Sequence, residues 1–204
     1  MFLATKVSPD NLAHDDVLEH ARASLDRLGV ERVDLLYVHW PTGAYDPEET
    51  LPALDELHAA GLVRNVGLSN FPPGLLTEAI DRLDAPLFAH QVECHPLLPQ
   101  DELRALADEH DHHLVAYSPL AKGRVTDVAE LRAVADEHGA TAAQVSLAWL
   151  RAKSAVPIPK SGTPAHIEEN LAAADLELTD DDVARIDAIE RRERTVDFPA
   201  APWN

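Results

Sequence analysis

The sequence predicts an α/β chain built on a parallel sheet, and three observations predict it. Short apolar segments alternate with amphipathic ones along the whole length, and turn residues separate them. Strands separated by helices imply parallel neighbours with helices laid on the sheet faces. Polar residues able to do chemistry, among them His39, Ser69, Asn70, Gln91, Glu93, Tyr117, Ser118, Lys160 and Ser161, fall at or just past the C-terminal ends of the predicted strands. Three architectures compete: a doubly wound sheet, a complete barrel, and part of an eight-stranded barrel. No Gly-x-Gly-x-x-Gly follows any strand, which argues against a dinucleotide-binding doubly wound sheet. A barrel of parallel strands delivers its C-terminal strand ends to one mouth, where the fold places its chemistry.

In chain order, residues 2–7 read as the first strand. Residues 15–28 place Val17, Leu18, Ala21, Leu25 and Leu28 at helical spacing, and Gly29 ends that helix. The nearly continuous apolar run 33–40 is a strand, 48–60 a helix closed by Gly61, and 65–70 a strand. A helix over 72–83 has proline near its start, a position where the missing N–H costs nothing. A strand at 87–92, a helix at 100–108 and a strand at 114–118 follow. Helices at 127–137 and 142–152 come next, the second capped by Thr141. The short strand 155–159 precedes a helix over 164–173 opened by Thr163, and a helix over 179–191 begins at the capping sequence TDDD. Six strands result, read as a single domain over residues 1–204.

Composition narrows the function. Hydrophobic residues make up 46% of the 204, enough for a sizeable core. No apolar run reaches the length of a membrane span, and the opening MFLATKVSPD turns polar too soon for a secretory signal. The lone Cys94 excludes a disulfide framework. These features predict a soluble, cytoplasmic protein. Asp and Glu number 36 against 17 Lys and Arg, a formal net charge of −19, and only Lys6, Lys122, Lys153 and Lys160 are lysines. Such a surface repels nucleic acid and anionic membrane, so neither is an expected partner. The balance resembles that of acidic proteomes from salt-accumulating microbes, where salt screens the self-repulsion.

The strand-end residues suggest a particular chemistry. Lys6 closes FLATK and His39 closes LLYVH. Histidine can orient and polarise a carbonyl oxygen, and lysine can lower the pKa of a neighbouring acid. Ser69, Asn70 and Gln91 offer donors and acceptors that match a planar carboxamide, and Tyr117 offers a flat face for a planar ring. Lys160 and Ser161, just before a helix start, suit a phosphate. GLSNF lacks the nucleophile elbow of the serine hydrolases, and no carboxylate pair of glycosidase type stands out. His90, His95, His110, His112 and His113 do not form a metal-ligand frame, so no metal site is expected; His110, His112 and His113 read as a solvated turn.

The segments DLLYVHWP, GLVRNVGLSNF, HQVECHPLLPQ, VAYSPLAKG and VPIPKSGTPAHIEEN stand in this order, and with them the chain closely resembles the aldo-keto reductases over residues 1 to about 190. The short connection TGAYDPEET resembles the prokaryotic branch of diketogluconate and methylglyoxal reductases. The resemblance implies a (β/α)8 TIM barrel of aldo-keto reductase type that binds NADPH and reduces small aldehydes or ketones. It implies that Lys6 lowers the pKa of a catalytic tyrosine, that His39 orients the carbonyl and that Trp40 lines the substrate pocket. Ser69, Asn70 and Gln91 would grip the nicotinamide carboxamide with Tyr117 stacked on the ring, and Ser118 follows on the same strand end. Lys160, Ser161 and Thr163 would hold the 2′-phosphate region, and Glu169 and Asn170 would approach the adenine. His166 stands where the family carries an arginine, which implies a relaxed preference that admits NADH.

The family has two further strands before FLATK, and they bring its catalytic Asp and Tyr. The expectation is therefore a barrel truncated at its N-terminal side to about six strands, from a start partway into a longer frame, with neither residue present. Of Tyr37, Tyr45 and Tyr117, none matches the donor position. Six strands do not close in the usual geometry. A monomer in the intact family would here carry two unpaired edges that invite self-association. Two readings stand side by side: an oxidoreductase of small carbonyl compounds, and a catalytically dead nicotinamide-binding or structural remnant. A hydrolase on a barrel is the third, without an acid pair or metal set to carry it.

Overall fold

The computed structural model describes residues 1–204. Six parallel strands run in chain order: β1 (Ala4–Val7), β2 (Leu35–Val38), β3 (Val66–Ser69), β4 (Leu87–Glu93), β5 (His113–Tyr117) and β6 (Val156–Pro157). Each strand pairs only with its sequence neighbours, as repeated β–helix–β crossovers require. The expected parallel α/β fold is present, as part of a (β/α)8 barrel.

The chain packs as two units. The first comprises residues 1–91, 105–112 and 198–204. It holds β1, β2, β3 and β4 up to Gln91, with helices α1 (His14–Leu28), α2 (Pro47–Ala59) and α3 (Pro73–Arg82). Its core is aliphatic: Leu36, Leu51, Leu54, Leu57, Leu68 and Leu76 are all fully buried. Burial of each such side chain is worth about 1.5–3 kcal/mol against full exposure. The helix ends follow from local chemistry. Gly29 takes φ 67°, the left-handed conformation that closes α1. Asp46 caps α2 through its carboxylate, which accepts from the Glu48 N–H at 2.9 Å, and Pro47 supplies the first helical position. The buried Thr50 hydroxyl donates to the Leu12 carbonyl at 2.6 Å, tying α2 to the chain ahead of α1.

The second unit comprises residues 92–104 and 113–197. It holds the end of β4, β5, β6 and helices α5 (Ala129–His138), α6 (Ala142–Ala152), α7 (Pro164–Ala172) and α8 (Asp180–Asp187); α4 (Asp101–Glu109) begins in this unit and ends in the first. Thr141 opens α6 with a reciprocal cap in which Gln144 answers, and Thr179 does the same for α8 with Asp182. The α6 residue Trp149 is buried, and its indole N–H donates to Asp187 on α8 at 2.9 Å.

Two expectations need correction. The last helix stops at Asp187 rather than running to Arg191, because the chain beyond it leaves the helical path and the Glu193 N–H donates to the Leu97 carbonyl at 2.8 Å. His112 is not part of a solvated turn. Asp111 adopts φ 52°, and the reversal turns His112 inward to 6% exposure, with its ring 6.4 Å from that of His90.

Candidate active site

In the first unit the strand register assembles one group of candidate residues. Lys6 stands opposite Tyr37, Tyr37 opposite Gly67, and Ser69 opposite Gln91. Alternation along β2 places His39 on the same face as Tyr37, two residues further on. Lys6 and His39 are half-buried. Burial, and after it the Lys6 charge, pushes the His39 pKa down, so the imidazole is neutral at neutral pH; burial also lowers that of Lys6. The Asn70 amide N–H donates to the His39 carbonyl at 3.0 Å and to the Ser69 hydroxyl at 3.1 Å. The Ser69 hydroxyl and the Asn70 backbone N–H both donate to the Gln91 carbonyl, at 2.8 and 3.0 Å. Asn70 takes φ 66°, a conformation that asparagine tolerates better than most residues and that turns its side chain back over the strand ends. Ser69, Asn70 and Gln91 are all buried polar groups at strand ends. Lys6, His39, Ser69, Asn70 and Gln91 therefore do come together.

Trp40 follows His39 and is half-buried under two rings that the sequence reading missed. Phe198 meets it edge-on at 4.9 Å and Trp203 lies tilted at 5.4 Å. The signal was the aromatic spacing in DFPAAPWN. Tyr37, weighed above and set aside as proton donor, lies inside β2 at 2% exposure.

The second unit carries the other candidates. Tyr117 ends β5 half-buried, and its carbonyl accepts from the Cys94 N–H at 3.3 Å. Burial, the Glu93 charge, and against them Arg194, leave the Tyr117 hydroxyl well above the ordinary tyrosine range. Ser118 follows at φ 46°. Lys160, Ser161 and Thr163 precede α7, where the Ser161 hydroxyl accepts from the Thr163 N–H at 3.1 Å. Thr163 is the N-cap residue but makes no side-chain cap bond, and no residue of α7 is buried. His166 is exposed in its first turn. Glu169 is engaged with α6: its carboxylate accepts from the Thr141 hydroxyl at 2.6 Å and its carbonyl from Gln144 at 3.2 Å. Asn170, next to it, is half-buried.

Glu93, given no role above, is an anchor. It is wholly buried, and its carboxylate accepts from His95 Nε2 at 3.0 Å, from the Thr195 N–H and hydroxyl at 2.7 and 2.5 Å, and from the Val196 N–H at 2.9 Å. Lys122 Nζ donates to the Thr195 carbonyl at 2.6 Å, so the 193–196 segment is fastened from two sides.

These residues fit a nicotinamide dinucleotide in kind. Buried amides and a hydroxyl at the ends of β3 and β4 suit a planar carboxamide. A lysine and hydroxyls at an exposed helix start suit a phosphate. No group of three or more His, Cys, Asp or Glu is arranged to hold a metal ion, and no helix is long and apolar enough to cross a membrane.

A glyoxal reductase of Bacillus subtilis is 35% identical over 194 residues, covering 95% of this chain and 70% of its own length. The crystal structure of a chain proposed to be 2,5-diketo-D-gluconic acid reductase B superimposes with a TM-score of 0.92 at 35% identity, over 98% of this chain and 72% of that one. A silkworm (Bombyx mori) aldo-keto reductase solved with NADPH gives 0.90 at 30% identity, over 97% of this chain and 66% of that one. The family model of the aldo/keto reductases matches residues 1–191, and with these strand ends and these likenesses the chain belongs to that family.

Proposed function

We propose that this chain handles a nicotinamide cofactor and a small carbonyl compound in the manner of an NADPH-dependent carbonyl reductase. The observation that carries the reading is the meeting of Lys6, His39, Asn70 and Gln91 at the ends of β1 to β4. When bound, the reduced nicotinamide supplies a hydride to the carbonyl carbon. The neutral His39 imidazole offers an N–H that orients the carbonyl oxygen and stabilises the negative charge growing on it. Lys6 adds a positive charge on the neighbouring strand. Ser69, Asn70 and Gln91 hold the carboxamide, which fixes the face of the ring presented, and Tyr117 offers it a stacking surface. Lys160, Ser161 and Thr163 are the phosphate ligands. With exposed His166 in place of a bidentate arginine, discrimination of NADPH from NADH is weak. The glyoxal and diketogluconate names of its relatives point to small dicarbonyl and keto compounds as the substrate class.

The proton for the alkoxide is the missing component in these 204 residues. Tyr37 is buried in β2 with its pKa pushed up to about 12, and Tyr45 packs edge-on against Phe71 at 5.2 Å with its hydroxyl pushed higher still by burial. Tyr117 is assigned the stacking role, and its hydroxyl is likewise pushed up by burial. We therefore assign the 204 residues cofactor binding and carbonyl orientation, with turnover at most marginal. Fluorescence titration with NADPH at high salt, followed by methylglyoxal, tests this. Binding with negligible oxidation of NADPH is expected. Rapid turnover would refute the assignment of a missing proton donor, and no binding by folded protein would refute the function itself.

A further inference from the structure

Lys6 is a half-buried ammonium with no carboxylate beside it. Its partner in the structure is the Tyr37 ring, whose centroid lies 4.8 Å from Nζ. The other half-buried lysine, Lys153, pairs with Asp187 instead. What β3 leaves out makes room for the ring: a Cβ on Gly67 would stand 2.5 and 2.6 Å from two Tyr37 ring carbons. An aromatic face attracts an ammonium but cancels none of its charge, and it gives the three N–H donors of Nζ no lone pair. The chain holds 36 Asp and Glu residues, and none of them pairs with Lys6. On the neighbouring strand and the same face, two residues beyond Tyr37, stands the neutral His39 imidazole. One uncompensated positive charge and one neutral hydrogen-bond donor thus share a face.

We propose that Lys6 is a carboxylate seat, and that the carbonyl compound taken here carries a carboxylate next to its carbonyl: a small 2-oxo acid. In such a ligand the acid group is attached directly to the carbonyl carbon. A carboxylate oxygen and the ketone oxygen then fall side by side, one for the Lys6 ammonium and one for the His39 N–H. The ligand brings the negative charge that the fold withholds, and the bond it makes to Nζ is charge-assisted. A neutral carbonyl compound of the same shape would strip water from the ammonium and leave it unpaired. The inference rests on the carbonyl reading above and narrows its substrate class.

The test compares pyruvate with pyruvamide, in which a neutral amide replaces the carboxylate, and with acetate, which has no ketone. Calorimetric titration of the full chain at low salt reads binding, first without and then with NADPH. A charge-assisted hydrogen bond corresponds to roughly 10–100-fold. Pyruvate is expected to bind tighter than pyruvamide by about that factor, and tighter than acetate. Lys6→Met is expected to erase its advantage over pyruvamide. Equal binding of pyruvate and pyruvamide, or an advantage that survives Lys6→Met, would overturn the inference. Acetate bound as tightly as pyruvate would reduce the site to a seat for any carboxylate and overturn the oxo-acid assignment. A pyruvate advantage without any binding of NADPH would instead overturn the nicotinamide reading and leave the seat standing. If Lys6→Met does not fold, carbon NMR of the four lysines in the wild-type chain decides. The Lys6 Cε signal, set apart by the Tyr37 ring current, shifts on adding pyruvate if the inference holds and stays fixed if it does not.

Discussion

Replacing Glu93 tests how the second unit is held together. Its carboxylate is wholly buried and accepts from four donors between 2.5 and 3.0 Å. Truncation to alanine leaves His95 Nε2 without its partner in a dry interior. The Thr195 and Val196 donors are half-exposed and can find water, which softens the cost. Breaking a buried charged network by removing one member costs about 3–5 kcal/mol, and the rewetted strap puts Glu93→Ala near 3 kcal/mol. Glu93→Gln keeps the volume, but one of its ends becomes an NH2 facing N–H donors, and the charge is gone; about 2 kcal/mol is expected. Urea unfolding followed by tryptophan fluorescence reads both, with the midpoint shifted and the slope unchanged. The pH dependence carries an independent sign. Burial alone would raise the Glu93 pKa, but the bonds from His95, Thr195 and Val196 outweigh it and hold the carboxyl below its ordinary value. Its contribution is therefore complete above the ordinary glutamate pKa of about 4.3 and is lost as the pH falls through the lower folded value. Losses below about 1 kcal/mol for both variants, or an acid limb identical in Glu93→Gln and wild type, would refute the anchor.

Two other outcomes are expected. His90 is wholly buried, accepts from the Phe71 N–H at 3.2 Å, and is pushed down to about 3 by burial and by His112. An unfolded histidine protonates near 6.5, so stability is fully present above that pH and declines toward pH 3 by up to about 1.4 kcal/mol per unit; His90→Asn flattens this limb in a melting series from pH 7 to 4. The formal charge of −19 leaves like charges facing one another, so raising KCl from 0.1 to about 2 M shortens the Debye length from roughly 10 Å to below 3 Å and raises Tm. A Tm that is flat or falling with salt removes the self-repulsion reading.

Much of this was legible in the sequence because the signals were local and periodic. The α6 bounds, 142–152, and the caps at Thr141 and Thr179 follow from hydroxyls placed ahead of periodic apolar residues. Four of the strands lie inside their expected ranges, shortened at the ends because hydrogen bonding stops before hydrophobicity does, while β4 runs one residue further, to Glu93, and β5 begins one residue earlier, at His113. The meeting of His39 with Asn70 was readable as strand ends in register. What local pattern does not carry is contact across distance. Nothing near Glu93 announces that its partners are Thr195 and Val196, and nothing near Trp40 announces Phe198 and Trp203. His112 defeated the composition argument because one left-handed residue, Asp111, decides whether a polar turn faces water or the interior.

The Glu93 anchor also bears on the rate at which the fold comes apart. The side-chain bonds between neighbouring strand ends close loops of 22 residues, from Ser69 to Gln91, and 31 residues, from Asn70 to His39. The bonds from Glu93 to Thr195 and Val196 close loops of 102 and 103 residues. Closing the longer loop costs about 1 kcal/mol more in chain entropy than closing the shorter ones, so strand pairing precedes the anchor on the way to the native state. An interaction made after the barrier leaves the folding rate alone and is felt almost wholly in the unfolding rate. The carboxylate at the end of β4 is thus expected to act as a latch on lifetime, with Glu93→Gln raising the unfolding rate in stopped-flow measurements and leaving the folding rate unchanged.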